Sequence, residues 1–171
     1  MAAGSTYTPI ETKTLASNTT TVTFSSIPST YTDLVLVFQA ASNNSNGTAV
    51  RMRFNGSSAS EYSTTFVDGT GANIISARTG TQTQMDLGWR TGIDSGVWNN
   101  VYLMNFLNYS NPNINKPVLW TCGGIATAVD LASGLWRNNA AINSISLTIG
   151  QPSSADFLAG CVLTLYGITA A

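Results

Sequence analysis

The chain has 171 residues, enough for one domain to bury a core without metal or disulfide staples, and a net charge of −1 from seven Lys or Arg, eight Asp or Glu and no His. Charged residues make up 9% of it, against about a quarter in an average chain, while 19 Ser, 23 Thr and 16 Asn supply the polarity, so the solvent face is a hydrogen-bonding surface and not an ionic one. Scattered basic residues argue against recognition of a nucleic-acid backbone, the lack of His excludes Ser-His-Asp, Cys-His and His-ligated metal chemistry, and no run of roughly 20 apolar residues exists to span a membrane as a helix.

The start, Met1-Ala2-Ala3-Gly4-Ser5, lacks the basic and apolar regions of a secretory signal. Tyr7-Thr8-Pro9-Ile10 and Lys13-Thr14-Leu15 predict an extended N-terminal arm or edge strand within residues 1–16, since Pro9 disfavours a central position. Thr19 to Phe24 alternates Thr21 and Thr23 with Val22 and Phe24, a half-buried strand that ends at Ile27-Pro28. Leu34 to Phe38 is a run of five apolar residues between turn-forming segments, too short for an autonomous helix and suited to a strand covered on both faces.

Val50, Met52 and Phe54 then alternate with Arg51 and Arg53, the two arginines reading as the solvated side of an amphipathic strand. Asn55-Gly56 is the strongest hairpin signal in the chain and predicts an antiparallel partner near Glu61 to Val67. From Asp68-Gly69-Thr70-Gly71 the chain reads as loop, with a short strand at Ala72 to Ser76. Met85 to Trp89 and Val97 to Leu107 are the next apolar runs, and the second carries apolar groups on both faces.

A turn at Asn111-Pro112-Asn113 precedes Val118-Leu119-Trp120, and Gly123-Gly124 allows a bulge or bend. A short helical turn competes only at Ile125 to Ser133. Ile145, Leu147 and Ile149 point inward and Ser144, Ser146 and Thr148 outward, and Cys161 to Ile168 is a last strand apolar on both sides. About eight to eleven short strands divided by Gly, Asn, Ser and Pro turns predict a single all-β domain over residues 1–171, an antiparallel sandwich or barrel.

No residue set declares a catalytic, cofactor or metal site. The acids Glu11, Asp33, Glu61, Asp68, Asp86, Asp94, Asp130 and Asp156 are dispersed, so a carboxylate pair would have to converge in space. Asp68 to Asn73 offers oxygen ligands with a single carboxylate, more simply an Asp-Gly turn than a calcium loop. Cys122 and Cys161 lie in apolar contexts that suit buried free thiols, although spacing leaves a bridge open. Trp98 and Trp120 belong to apolar runs and are expected in the core, whereas Trp89 and Trp136, each beside an Arg, are candidates to stack on sugar rings if exposed.

In Tyr31-Thr32-Asp33-Leu34-Val35-Leu36, Met52 to Ser57 with Tyr62-Ser63, Leu135-Trp136-Arg137, Ile142 to Ile145 and Leu165-Tyr166-Gly167-Ile168, nearly the whole chain resembles small virion structural proteins of tailed bacteriophages. The resemblance implies a jelly-roll sandwich, three-fold oligomers, and a place as capsid decoration or cement protein or as a tail-fibre tip. Decoration of the outer head surface is the expectation here, with the major capsid protein as partner, because the chain starts directly with the domain and shows no shaft segment. The alternative is a receptor-binding module for host surface carbohydrate. Independently of the resemblance, the strands at Leu34 to Phe38, Tyr102 to Phe106 and Cys161 to Tyr166, apolar on both faces, predict that copies of the chain cover one another's outer faces.

Overall fold

The computed structural model describes residues 6–44, 48–88, 93, 100–124, 128–151 and 155–169. Twelve strands occur among them, and no helix: β1 (Tyr7–Thr14), β2 (Thr21–Phe24), β3 (Asp33–Ala40), β4 (Ala49–Phe54), β5 (Tyr62–Gly69), β6 (Ile74–Gln82), β7 (Met85–Asp86), β8 (Asn100–Phe106), β9 (Lys116–Gly124), β10 (Ala128–Trp136), β11 (Ile145–Gln151) and β12 (Val162–Ile168). They form two antiparallel sheets, one of eight strands in the order β1-β12-β3-β8-β9-β10-β5-β6 and one of four in the order β2-β11-β4-β7.

The inner faces of the two sheets share one apolar layer, a sandwich-like arrangement. Val22, Phe24, Met52, Phe54, Ile145 and Leu147 come from the small sheet and Leu36, Phe38, Tyr102, Met104, Phe106 and Trp120 from the large one. Aromatic rings bind the layers, Phe54 meeting Phe106 edge-on with centroids 5.8 Å apart and Trp136 at 5.4 Å; within the large sheet Phe38 stacks on Tyr102 at 4.3 Å. Alternation follows from the two-residue strand period. In β4 it holds without exception, Val50, Met52 and Phe54 buried and Ala49, Arg51 and Arg53 half-exposed.

Two sequence expectations need correction, and two options that the sequence left open fall away. Asn55-Gly56 does make a tight turn, with φ of 52° and 67°, and Ser57 N–H donates to Phe54 C=O at 2.9 Å. The chain then crosses to the other sheet: β4 pairs with β11 and β7, and β5 with β10 and β6. Local contacts turn the hairpin signal into a corner. Asn55 Oδ1 accepts from the backbone N–H of Asn143 and Ser144, its Nδ2 donates to Ala141 C=O, and the buried Tyr62 hydroxyl accepts from Phe54 N–H at 3.1 Å.

Asp68 and Gly69, expected in a loop, end β5, and the strand expected at Ala72 to Ser76 is the longer β6. Gly123 and Gly124 make neither bulge nor bend, since both stay in unbroken register with Val129 and Ala128. The helical turn weighed for Ile125 to Ser133 gives way to β10 from Ala128 onward, where Ala128, Asp130, Ala132, Gly134 and Trp136 fall on the buried face together at the two-residue period of a strand. Residues 125–127 lie outside the described residues, as do Trp89, Asp94 and Trp98. At the N-terminus, residues 7–14 form an edge strand hydrogen-bonded to β12, with a register shift between Pro9 and Glu11 at the point where proline lacks a donor.

Candidate assembly surface

Three places merit scrutiny for function: a buried acid pair, the tryptophans, and the outer faces of the two sheets. Two carboxylates do converge. Asp68 and Asp130 are directly opposed on β5 and β10, and Cys122 on β9 lies opposite Asp130 with Sγ 3.5 Å from Oδ2. Sequence gave no sign of this, because the two acids meet only through strand pairing. Both are 1% exposed and face inward, which closes them to substrate. Among the described residues no group of three His, Cys, Asp or Glu side chains is placed to hold a metal ion.

The candidate sugar platform at Trp136 is absent, because the ring is buried, stacked on Tyr62, and its Nε1–H donates to Glu61 Oε2 at 2.9 Å. Trp120 is buried as expected, donating to Leu87 C=O. Trp89 falls outside the described residues. Cys122 and Cys161 are buried free thiols, and burial pushes the Cys161 pKa upward, away from the reactive thiolate.

The outer faces differ sharply. On the small sheet, Thr23, Ser146 and Arg53 form one cross-strand row and Thr21, Thr148, Arg51 and Asp86 the next. Thr23 and Ser146 hydroxyls bond at 3.0 Å and Arg51 Nε lies 2.9 Å from Asp86 Oδ1. This is an ordinary solvated face of an antiparallel sheet, and the reading of Arg51 and Arg53 as solvated groups holds.

The large sheet breaks the rule. Across β8, β9, β10 and β5, directly opposed residues on the outer face form three rows: Val101, Gly123, Val129 and Gly69; Leu103, Thr121, Leu131 and Val67; Asn105, Leu119, Ser133 and Thr65. No charged residue occurs in them. Val129 is 64% exposed and Leu131 62%, and Val67, Val101, Leu103 and Leu119 are also exposed. The charges these strands carry, Lys116, Asp68 and Asp130, all lie on the buried side.

At about 4.8 Å per strand and 3.3 Å per residue, four strands of seven residues cover roughly 450 Å², and exposed Val and Leu make up half of the twelve outward residues in the three rows. Such a face, rimmed by Thr, Ser and Asn, is the kind that meets another surface. Toward β12 it continues through Val37 and Val162, and there Tyr7 packs edge-on against Tyr166 with centroids 6.1 Å apart.

No protein-family model matches the chain, and no curated protein or solved structure matches it. Its chemistry is therefore that of its own surfaces: a closed interior, a hydroxyl-rich small-sheet face, and a large-sheet face whose β8, β9, β10 and β5 part carries no charge, Arg78 on β6 and Asp33 on β3 marking its limits.

Proposed function

We propose that the chain is a non-enzymatic structural protein of a virion, a jelly-roll decoration or cement protein that binds the outer surface of a tailed-phage head and stabilises it. One observation carries the structural role: the exposed apolar face of β8, β9, β10 and β5, on which no charged residue stands. The phage assignment itself rests on the sequence resemblance. Partners in this reading are other copies of the chain and the major capsid protein. The inward-facing acids and buried thiols supply no accessible chemistry, which fits a scaffold better than a hydrolase. Burial of Trp136 removes support from the carbohydrate-binding alternative.

With seven Lys or Arg and eight Asp or Glu in the whole chain, contacts to the head rest mainly on apolar and neutral hydrogen-bonded groups, which salt hardly screens. Incubating purified protein with heads that lack it should give saturable co-sedimentation and a higher temperature of head rupture. Both effects should persist at about 1 M salt, where the screening length is about 3 Å. Failure to bind, or complete release at that salt, would overturn the reading.

A further inference from the structure

Glycines inside strands need a reason, because each costs roughly 0.5–1 kcal/mol relative to alanine. Several here have one within the protomer. A Cβ on Gly134 would stand 2.6 Å from Met85 Sδ and 2.9 Å from Trp120, one on Gly150 would stand 2.8 Å from Arg51 Nε, and one on Gly167 would run into the Tyr31 ring. Gly69 and Gly123 differ. Among the described residues, the nearest atom to a Cβ on Gly123 is Val129 Cγ2 at 3.8 Å, and to one on Gly69 Val129 C=O at 3.9 Å, both ordinary contacts. Neither residue has a positive φ. Both flank Val129 on the outer face, so Val129 stands as a ridge between two hollows, and Gly123 is a hollow between Val101 and Val129. Gly80 in β6, where a Cβ would have nothing within 4 Å among the described residues, sits at the register shift opposite Tyr62 and Thr64. An in-strand glycine away from a bulge and without an internal requirement fits the close approach of something from outside.

We infer that the occupant is a second copy of this chain, packed face to face about a two-fold axis that runs parallel to the strands between β9 and β10. Rotation about that axis keeps the rows and exchanges the strands. Val129 of one copy then sits over the other's Gly123, Leu131 over Thr121, and Ser133 over Leu119, each large group opposite a small one and each contact repeated in reverse. One strand further out, β8 meets β5, which sets Val101 over Gly69 and Asn105 over Thr65, with Leu103 against Val67. Aligned sheets cross at about 30°, so the matched rows are those near the axis.

Charge points the same way. The three rows that meet across the axis hold no charged residue, so the pairing of β8, β9, β10 and β5 buries no unpaired charge. Area is sufficient as well: about this axis β3 also meets β6, so six strands overlap and cover roughly 660 Å², within the roughly 600–1,000 Å² per partner of a standard interface. Three-fold closure, implied by the resemblance, would not bring β9 onto β10 reciprocally. The pairing rests on the proposed reading only in treating this face as an assembly surface.

Sedimentation equilibrium at tens of micromolar tests it. The wild-type protein should show twice the 18.0 kDa chain mass. Gly123→Leu fills the hollow and should raise the dissociation constant on the order of 30-fold or more, the effect of losing a hot spot. Leu131→Asp, which leaves Gly123 in place, should do the same and carries the test if the first variant loses its β-sheet circular dichroism. Thr23→Asp, on the small sheet, should leave the dimer intact. A wild-type mass of one or three chains, or dimers that persist in both face variants, would overturn the pairing. A monomeric wild type that still binds heads would sink the pairing alone, and a dimer that ignores heads would sink the capsid reading alone.

Discussion

Lys116 is the most informative single position for the stability of the protomer. It is 1% exposed, and its ammonium donates to three backbone carbonyls, of Asn111, Ile114 at 2.8 Å and Asn139 at 3.1 Å, which joins the turn between β8 and β9 to the segment after β10. Lys116→Met keeps the stem and deletes all three donors. Hydrogen bonds from a charged donor contribute about 1.5–3 kcal/mol each, and relief of the ammonium's desolvation in the variant offsets part of their loss. Surface loops, not the central core, cover the ammonium, so part of its hydration survives and the net loss is placed at about 2–4 kcal/mol. For a chain of this size that lowers Tm by about 4–16 °C at 2–4 °C per kcal/mol.

Urea denaturation should show the loss as a lower midpoint at unchanged slope. Alkaline pH adds a second readout. Burial lowers the Lys116 pKa from its ordinary value of 10.5, so between the folded and unfolded values the unfolded chain holds more protons and this group raises stability as pH rises. Burial raises the Tyr62 and Tyr109 pKa values above 10.0, and those groups act oppositely, their stabilisation being lost as pH climbs past 10.0. The difference between wild type and Lys116→Met isolates the lysine contribution: the variant's deficit should widen as the solution approaches pH 10.5. A midpoint shift worth less than about 1 kcal/mol would refute the hub.

Two further outcomes follow from the corner and the core. Tyr62→Phe strands the buried Phe54 N–H and should cost about 1–3 kcal/mol, read by the same denaturation; a change within about 0.5 kcal/mol would show that the sheet switch does not depend on that hydroxyl. Cys122 and Cys161 should resist a thiol reagent in the native protein and react together on unfolding, so fast native labelling of either would contradict their burial.

Individual strands were legible wherever the two-residue period carried contrasting residues. Val50 to Phe54 and Ile145 to Ile149 lie as their patterns predict, and Pro9 correctly marked an edge. Pairing was not legible, because it depends on contacts far apart in sequence. Asn55-Gly56 is a good hairpin turn used as a corner, for Asn55 is tied to Asn143 and Ser144 and not to a returning strand.

The assembly face was half legible. Leu103 and Val101 reveal an apolar second side to β8, as the sequence suggested. In β10, however, Ala128-Val129-Asp130-Leu131-Ala132 read locally would put the valine and leucine inside and the aspartate in water. Trp136, buried against Tyr62 and Phe54, sets the opposite phase. Anchoring at the far end of a strand is invisible to local pattern, and here it turns the large apolar groups outward.

Hydroxyl-radical footprinting of the assembled protein against a dissociated face variant tests the central claim most directly, because the claim is about which face is covered. Val129, Leu131, Leu103 and Leu119 should be protected on assembly while Thr21, Thr23 and Arg53 keep their reactivity. Protection of the small-sheet face, with Val129 and Leu131 as reactive as in the isolated chain, would contradict it.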